Sequence, residues 1–178
     1  MNTTLLAAAL VTSATSIGSA SSIHGDIEVD PTAYALDGYS LHVGIGYEHL
    51  RLDLGNFAMA LPQFVHGDDG FNVAFDGYGA KLQYWVRSDQ IGLFAGIDAG
   101  VVRVHAHLQG SDLSADDTQI GAGVHAGYRL SLPAGFYATA WLGVGYAFSA
   151  DNVMLGGKTY DASPFSVFPA IHLGYRFQ

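Results

Sequence analysis

From Tyr39 onward the chain is a succession of two-residue alternations. In the last of them Phe165, Val167, Pro169, Ile171, Leu173, Tyr175 and Phe177 take turns with Ser166, Phe168, Ala170, His172, Gly174 and Arg176. That is the period of a β-strand, with large residues on one face and small or charged ones on the other. The run is long for a strand in a soluble domain and suits a tilted strand crossing a bilayer. Tyr39, Leu41, Val43, Ile45 and Tyr47 likewise oppose Ser40, His42, Gly44, Gly46 and Glu48, and a tight turn at Glu48-His49 leads into Leu50, Leu52 and Leu54 opposite Arg51 and Asp53. Tyr78 to Val86, Ile91 to Val101, Ile120 to Leu132 and Phe136 to Phe148 repeat the pattern.

Phase is lost twice. Past Gly55 the apolar set becomes Phe57 and Met59, which predicts a bulge. At Val101-Val102 two apolar residues stand side by side, after which Val104, Ala106 and Leu108 oppose Arg103, His105, His107 and Gln109. With the phase reset there, Arg103 joins the small and polar face. Seven strands are clear, and an odd ring would close on a parallel pair, whereas bacterial barrels have even strand numbers. Ile23 to Asp30 also alternates and supplies an eighth strand; its competitor is a polar arm with Asp30-Pro31 opening a short helix through Leu36. Eight strands are favoured. The expected fold is all-β: an antiparallel up-and-down transmembrane barrel over residues 21–178, with a filled polar lumen.

Charge decides between a membrane barrel and a soluble one. Arg51, Lys81, Arg103, Arg129 and Arg176 all fall on the small-and-polar face, while Arg87 sits in a turn and Lys158 in a loop. A soluble barrel would put its apolar side chains inside and its charges outside. In a bilayer each outward Arg or Lys near the midplane costs roughly 2–4 kcal/mol, so charges turn inward. Tyr39, Tyr47, Tyr84, Tyr128, Tyr146, Tyr175 and Phe177 lie near strand ends on the outward face, where interfacial girdles belong. The composition agrees, with 23 Gly, 10 Tyr and 10 Phe against 13% charged residues. The absence of cysteine excludes disulfides, thiolate metal sites and a cysteine nucleophile. Residues 1–20 read as a secretory signal, with an apolar stretch from Leu5 to Val11 and Gly18-Ser19-Ala20 for cleavage, although no basic residue precedes Arg51.

Turns at 47–50, 87–90 and 132–135 are short and those at 60–74, 109–117 and 149–163 longer, which orients the long ones to the outside. They carry Asp68, Asp69, Asp112, Asp116, Asp117, Asp151 and Asp161 with one base, Lys158, so most of the net charge of −9 is external. Solubility accounts for this simply. Divalent cations bridging lipopolysaccharide phosphates are the functional alternative, and outer-membrane lipid and lipopolysaccharide are the expected partners.

An interior of about eight strands is just wide enough to be filled by side chains. The expected lumen network is Arg51, Asp53, Lys81, Asp98, Arg103, His125, Arg129, His172 and Arg176, paired because an unpaired buried charge is expensive. His105 and His107 share a strand face, the hairpin through 109–117 brings Asp116 and Asp117 nearby, and two imidazoles with a carboxylate, Asp117 for choice, suit zinc or a similar ion. Ser40 and His42 are the pair to consider for acyl-ester hydrolysis, but they share the lumen face and no carboxylate is assigned to orient the His. No catalytic set and no cofactor site is expected. An acidic surface argues against nucleic acid.

The closing Leu173-Gly174-Tyr175-Arg176-Phe177, the inward charges, and the steps Gly38-Tyr39, Gly77-Tyr78, Gly127-Tyr128, Gly145-Tyr146 and Gly174-Tyr175 resemble small bacterial outer-membrane barrels of the OmpA, OmpX and OmpW type. Gln178 after the final aromatic departs from the usual ending. The resemblance implies residence in the outer membrane and roles from envelope integrity and adhesion to passage of small solutes or lipid hydrolysis. A non-enzymatic structural or surface role is the favoured expectation, a solute channel the alternative, and a lipid A deacylase the enzymatic one.

Overall fold

The computed structural model describes residues 23–177, so the signal expected over residues 1–20 lies outside the described residues. Eight strands close a ring: β1 (His24–Val29), β2 (Tyr39–Tyr47), β3 (Leu50–Leu61), β4 (Phe71–Trp85), β5 (Gly92–Leu108), β6 (Ser114–Ser131), β7 (Phe136–Ala147) and, after a small hairpin of β8 (Val153–Leu155) and β9 (Lys158–Tyr160), β10 (Phe165–Arg176). Every pair is antiparallel, including the closing pair of β1 with β10. The two readings of residues 23–36 are both realised: β1 is the eighth strand, and Asp30 then caps a short helix α1 (Pro31–Ala35) through its carboxylate and the Thr32 N–H.

Neither loss of phase is a bulge. Register runs unbroken from Leu50↔Tyr84 to Leu61↔Val73, from Phe71↔Leu108 to Trp85↔Phe94, and from Gly92↔Arg129 to His107↔Ser114. What changes is the solvent. In the lower barrel Leu52, Leu82, Ile97, Val124, Val144 and Val167 form one exposed apolar row on the outer wall. Above Tyr78, Val101 and Ile120 the same outer face carries Asp76, Arg103 and Thr118, then Ala74, His105 and Asp116, then Asn72, His107 and Ser114. The inner face inverts in step: Phe71, Val73, Ala106, Leu108 and Tyr160 make a buried cluster, joined by Leu61, Val104, Val153, Leu155 and Ala162. The membrane-spanning part of β5 therefore ends at Val101, and β3 to β6 continue outside as a wall with an ordinary water-facing exterior. Arg103 consequently belongs to the exposed outer face and not to the lumen, because an even step along an unbroken strand keeps its face.

The β8–β9 hairpin crosses over this wall and contributes Val153, Leu155 and Tyr160 to the apolar cluster. At the outer-loop end of β1 and β2, α1 buries Ala33 and touches β2, β3 and β10. Gly38 lets α1 reach β3, since a Cβ there would lie 1.8 Å from the Ala58 carbonyl oxygen. Aromatic pairs bracket the apolar belt, Phe136–Tyr175 and Tyr175–Phe177 at the end holding His24 and Arg176 and Tyr146–Phe148 and Tyr146–Phe165 at the other.

Candidate functional site: the barrel lumen

Inward residues fall into rows that climb around the ring with the strand stagger. One row is Arg176, Asp26, Gly44, Asp53, Lys81, Asp98, Gly123, Gly145 and Ser166; the row beneath it is His24, Gly46, Arg51, Gln83, Gly96, His125, Gly143 and Phe168. Charged residues thus meet glycines across strands, and the glycines leave room for long side chains. A Cβ at Gly44 would overlap both the Asp26 carboxylate and the Arg51 guanidinium.

Arg51 is the hub. Its Nε donates to both Asp26 oxygens at 3.2 and 3.1 Å, Nη2 donates to Asp26 Oδ1 at 2.5 Å, and Nη1 donates to Gln83 Oε1 at 3.0 Å. Nη2 also stands 3.0 Å from Asp53 Oδ2 and 3.4 Å from Glu28 Oε1. Asp53 then takes Lys81 Nζ at 3.0 Å and lies 2.9 Å from His42 Nδ1. Glu28 takes Arg129 Nη2 at 2.6 Å and lies 2.9 Å from His172 Nδ1. Arg129 also donates to Thr139 Oγ1 at 3.1 Å and lies over Trp85 at 4.4 Å and Tyr137 at 3.9 Å, so two ring faces flank its guanidinium. His42 and His172 are 4.8 Å apart between ring centroids, and His125 bonds Asp98 at 2.8 Å. At the end holding His24 and Arg176, buried Gln90 donates to the Glu48 and Leu50 carbonyls, and Arg176 donates to the Asp89 carbonyl at 2.8 Å.

Of the residues expected in the lumen, the structure brings Arg51, Asp53, Lys81, Arg129 and His172 into this network, sets Asp98 with His125 beside it, and leaves Arg176 at its mouth. Asp26 and Glu28 are the members that sequence reasoning missed. The signal was present, since both stand on the same face of the Ile23–Asp30 alternation as His24, but it has meaning only once β1 is a strand.

The expected metal set is not assembled. His105 and His107 are on the outer wall, while Asp117 is on the inner face, where it accepts from Gln119 Nε2 at 2.9 Å and from the Asp151 N–H at 3.2 Å. His105 instead bridges Asp76 at 2.6 Å and Asp116 at 2.8 Å, one carboxylate on each ring nitrogen. Among the described residues no group of three or more His, Cys, Asp or Glu is arranged to hold a metal ion. Those two bonds raise the His105 pKa, first through Asp76 and then through Asp116. Ser40 and His42 are both buried in the lumen, away from lipid, and Ser40 Oγ accepts the Asp30 N–H at 3.2 Å.

No protein-family model matches this sequence, and no curated protein does. Solved structures do. The neisserial surface protein NspA superposes with a TM-score of 0.51 at 17% identity, over 86% of this chain and 94% of that one. The N-terminal β-barrel domain of OprF from Pseudomonas aeruginosa gives 0.50 at 16% identity, over 87% and 96%. A major outer membrane protein of Thermus thermophilus gives 0.50 at 14% identity, over 88% and 100%. At such identities the likeness is one of fold, and it agrees with the apolar outer belt, the aromatic girdles and the polar interior found in this chain. By its fold the chain is a small outer-membrane β-barrel of eight strands.

Proposed function

We propose that this barrel is non-conducting and non-enzymatic, and that it serves the outer membrane as a structural and surface-contact element. The observation that carries this reading is the closure of the lumen by the Arg51 network. This network fills the lower half with buried, paired side chains. A solute would have to break it, with its buried ion pairs. Ser40 Oγ is engaged by the Asp30 N–H and His42 by Asp53 deep in the lumen, which favours a non-enzymatic role.

Contact with the outer leaflet follows from the outer wall. Arg103 and His107 stand exposed just above the apolar belt, at the height of lipid headgroups, and suit lipopolysaccharide phosphates. Asp76, Asp112 and Asp116 nearby suit divalent cations that bridge such phosphates. Purified folded protein in planar bilayers is expected to show no steady conductance, and incubation with lipopolysaccharide is expected to release no fatty acid. Stable unitary channels would overturn the non-conducting reading, and acyl release abolished by His42→Ala would overturn the non-enzymatic one.

A further inference from the structure

Pairing within the lumen leaves one carboxylate over. Arg51 answers Asp26 and Asp53, Arg129 answers Glu28, and Lys81 answers Asp53. Asp98 has His125 on Oδ2 and no Arg or Lys within ion-pairing distance among the described residues. Its side chain is 35% exposed although its strand position faces the barrel axis, so it looks into open space. Ser166, on the same inward row, is exposed as well.

That space is a hollow on the outer side of the Arg51 network. Gly79 and Gly100 face it with no side chain of their own, and the atoms nearest to a Cβ at either would be backbone of the adjacent strand. Phe168 and Trp141, with ring centroids 5.9 Å apart, flank the hollow from below beside His125. Asp117 lies further up β6 on its inward face, toward the acidic outer loops.

We propose that this hollow binds a small organic cation, a protonated or quaternary amine, entering from the outside. The free Asp98 oxygen supplies the counter-charge and Phe168 an aromatic face, the pairing by which such cations are recognised. Lys81 lies over Trp141 at 5.5 Å but is held by Asp53, so Phe168 is the ring left for a ligand. A single free carboxylate is too few oxygen ligands for a divalent metal. Acid concentrated in the outer loops draws cations toward the entrance. The hollow is blind, so binding and conduction are separate questions and the failure of one leaves the other standing.

The test is a titration of folded protein in micelles with benzyltrimethylammonium chloride, followed by tryptophan fluorescence. Benzyl alcohol and benzenesulfonate serve as the neutral and anionic counterparts. The cation alone should give a saturable change, weakened about tenfold or more by Asp98→Asn. Ser166→Phe, which narrows the hollow without touching Asp98, should weaken it comparably, and heat-modifiable migration in SDS checks that each variant is folded. If Asp98→Asn does not fold, Ser166→Phe and the two counterpart probes still decide. Absence of saturable cation binding, equal response to all three probes, or binding that survives in folded Asp98→Asn would overturn the proposal.

Discussion

Replacing Arg51 by Met tests whether the lumen network holds the barrel together or merely occupies it. The loss falls unevenly on the three carboxylates around the guanidinium. Asp53 keeps Lys81 at 3.0 Å and His42 at 2.9 Å, and Glu28 keeps Arg129 at 2.6 Å and His172 at 2.9 Å. Asp26, fully buried, has no other cation within ion-pairing distance among the described residues. Stranding one buried carboxylate costs roughly 3–5 kcal/mol. Gln83 also loses a donor to its Oε1, but it retains a contact with His125 at 3.3 Å. Adding Asp26→Asn to Arg51→Met removes the stranded charge and should recover most of the loss, whereas Asp26→Asn alone leaves Arg51 with Asp53 and Glu28 and should cost less than Arg51→Met. The coupling between the two positions is expected near the upper end of the roughly 0.5–3 kcal/mol range for interacting sites. Urea unfolding in lipid vesicles, followed by tryptophan fluorescence, measures all four corners of the cycle. Arg51→Met within about 1 kcal/mol of the parent, below the range for a broken buried pair, would refute the reasoning, as would strict additivity of the two substitutions.

Inversion of the outer wall predicts that Ile97→Arg, in the apolar belt, costs roughly 2–4 kcal/mol and that Thr118→Arg, on the same outer face above it, costs less than about 1 kcal/mol by the same unfolding assay. The His105 bridge is fully present below histidine's ordinary value of 6.5 and is lost as pH rises through the raised folded value, so hydrogen exchange at the β5–β6 tip should quicken with alkaline pH beyond its intrinsic rate, and His105→Gln should remove that excess. Gly38→Val should lower the folded yield in refolding trials, because even its Cβ would lie 1.8 Å from the Ala58 oxygen and α1 would have to leave β3. Phe71→Ala should cost roughly 3–5 kcal/mol to the outer cluster and expose residues 153–160 to protease while the lower barrel keeps its resistance to SDS.

Most of the fold is legible in local pattern. Alternation from Tyr39 to Phe177, charges opposite the Leu, Ile and Val face, and three short turns are each a property of neighbouring residues, and the period of two makes them readable without knowing what pairs with what. From these come the antiparallel ring and its inward Arg51, Lys81 and Arg129. Gly55 and Val101-Val102 are read as breaks in the strand because hydrophobicity reports a face only when the solvent is known. Where a strand leaves lipid for water the apolar side turns from outward to inward while the backbone runs straight on, so one sequence signal has two causes. Pairing register alone distinguishes them, and with it Arg103 moves from the lumen to the outer wall. The same holds for partners: Asp26 meets Arg51, Glu28 meets Arg129 and His172 from far along the chain, and His105 meets Asp76 and Asp116 and not Asp117. Alternation dictates which face a side chain takes, but ring closure and stagger dictate which residues share a height, and that is a property of eight strands at once.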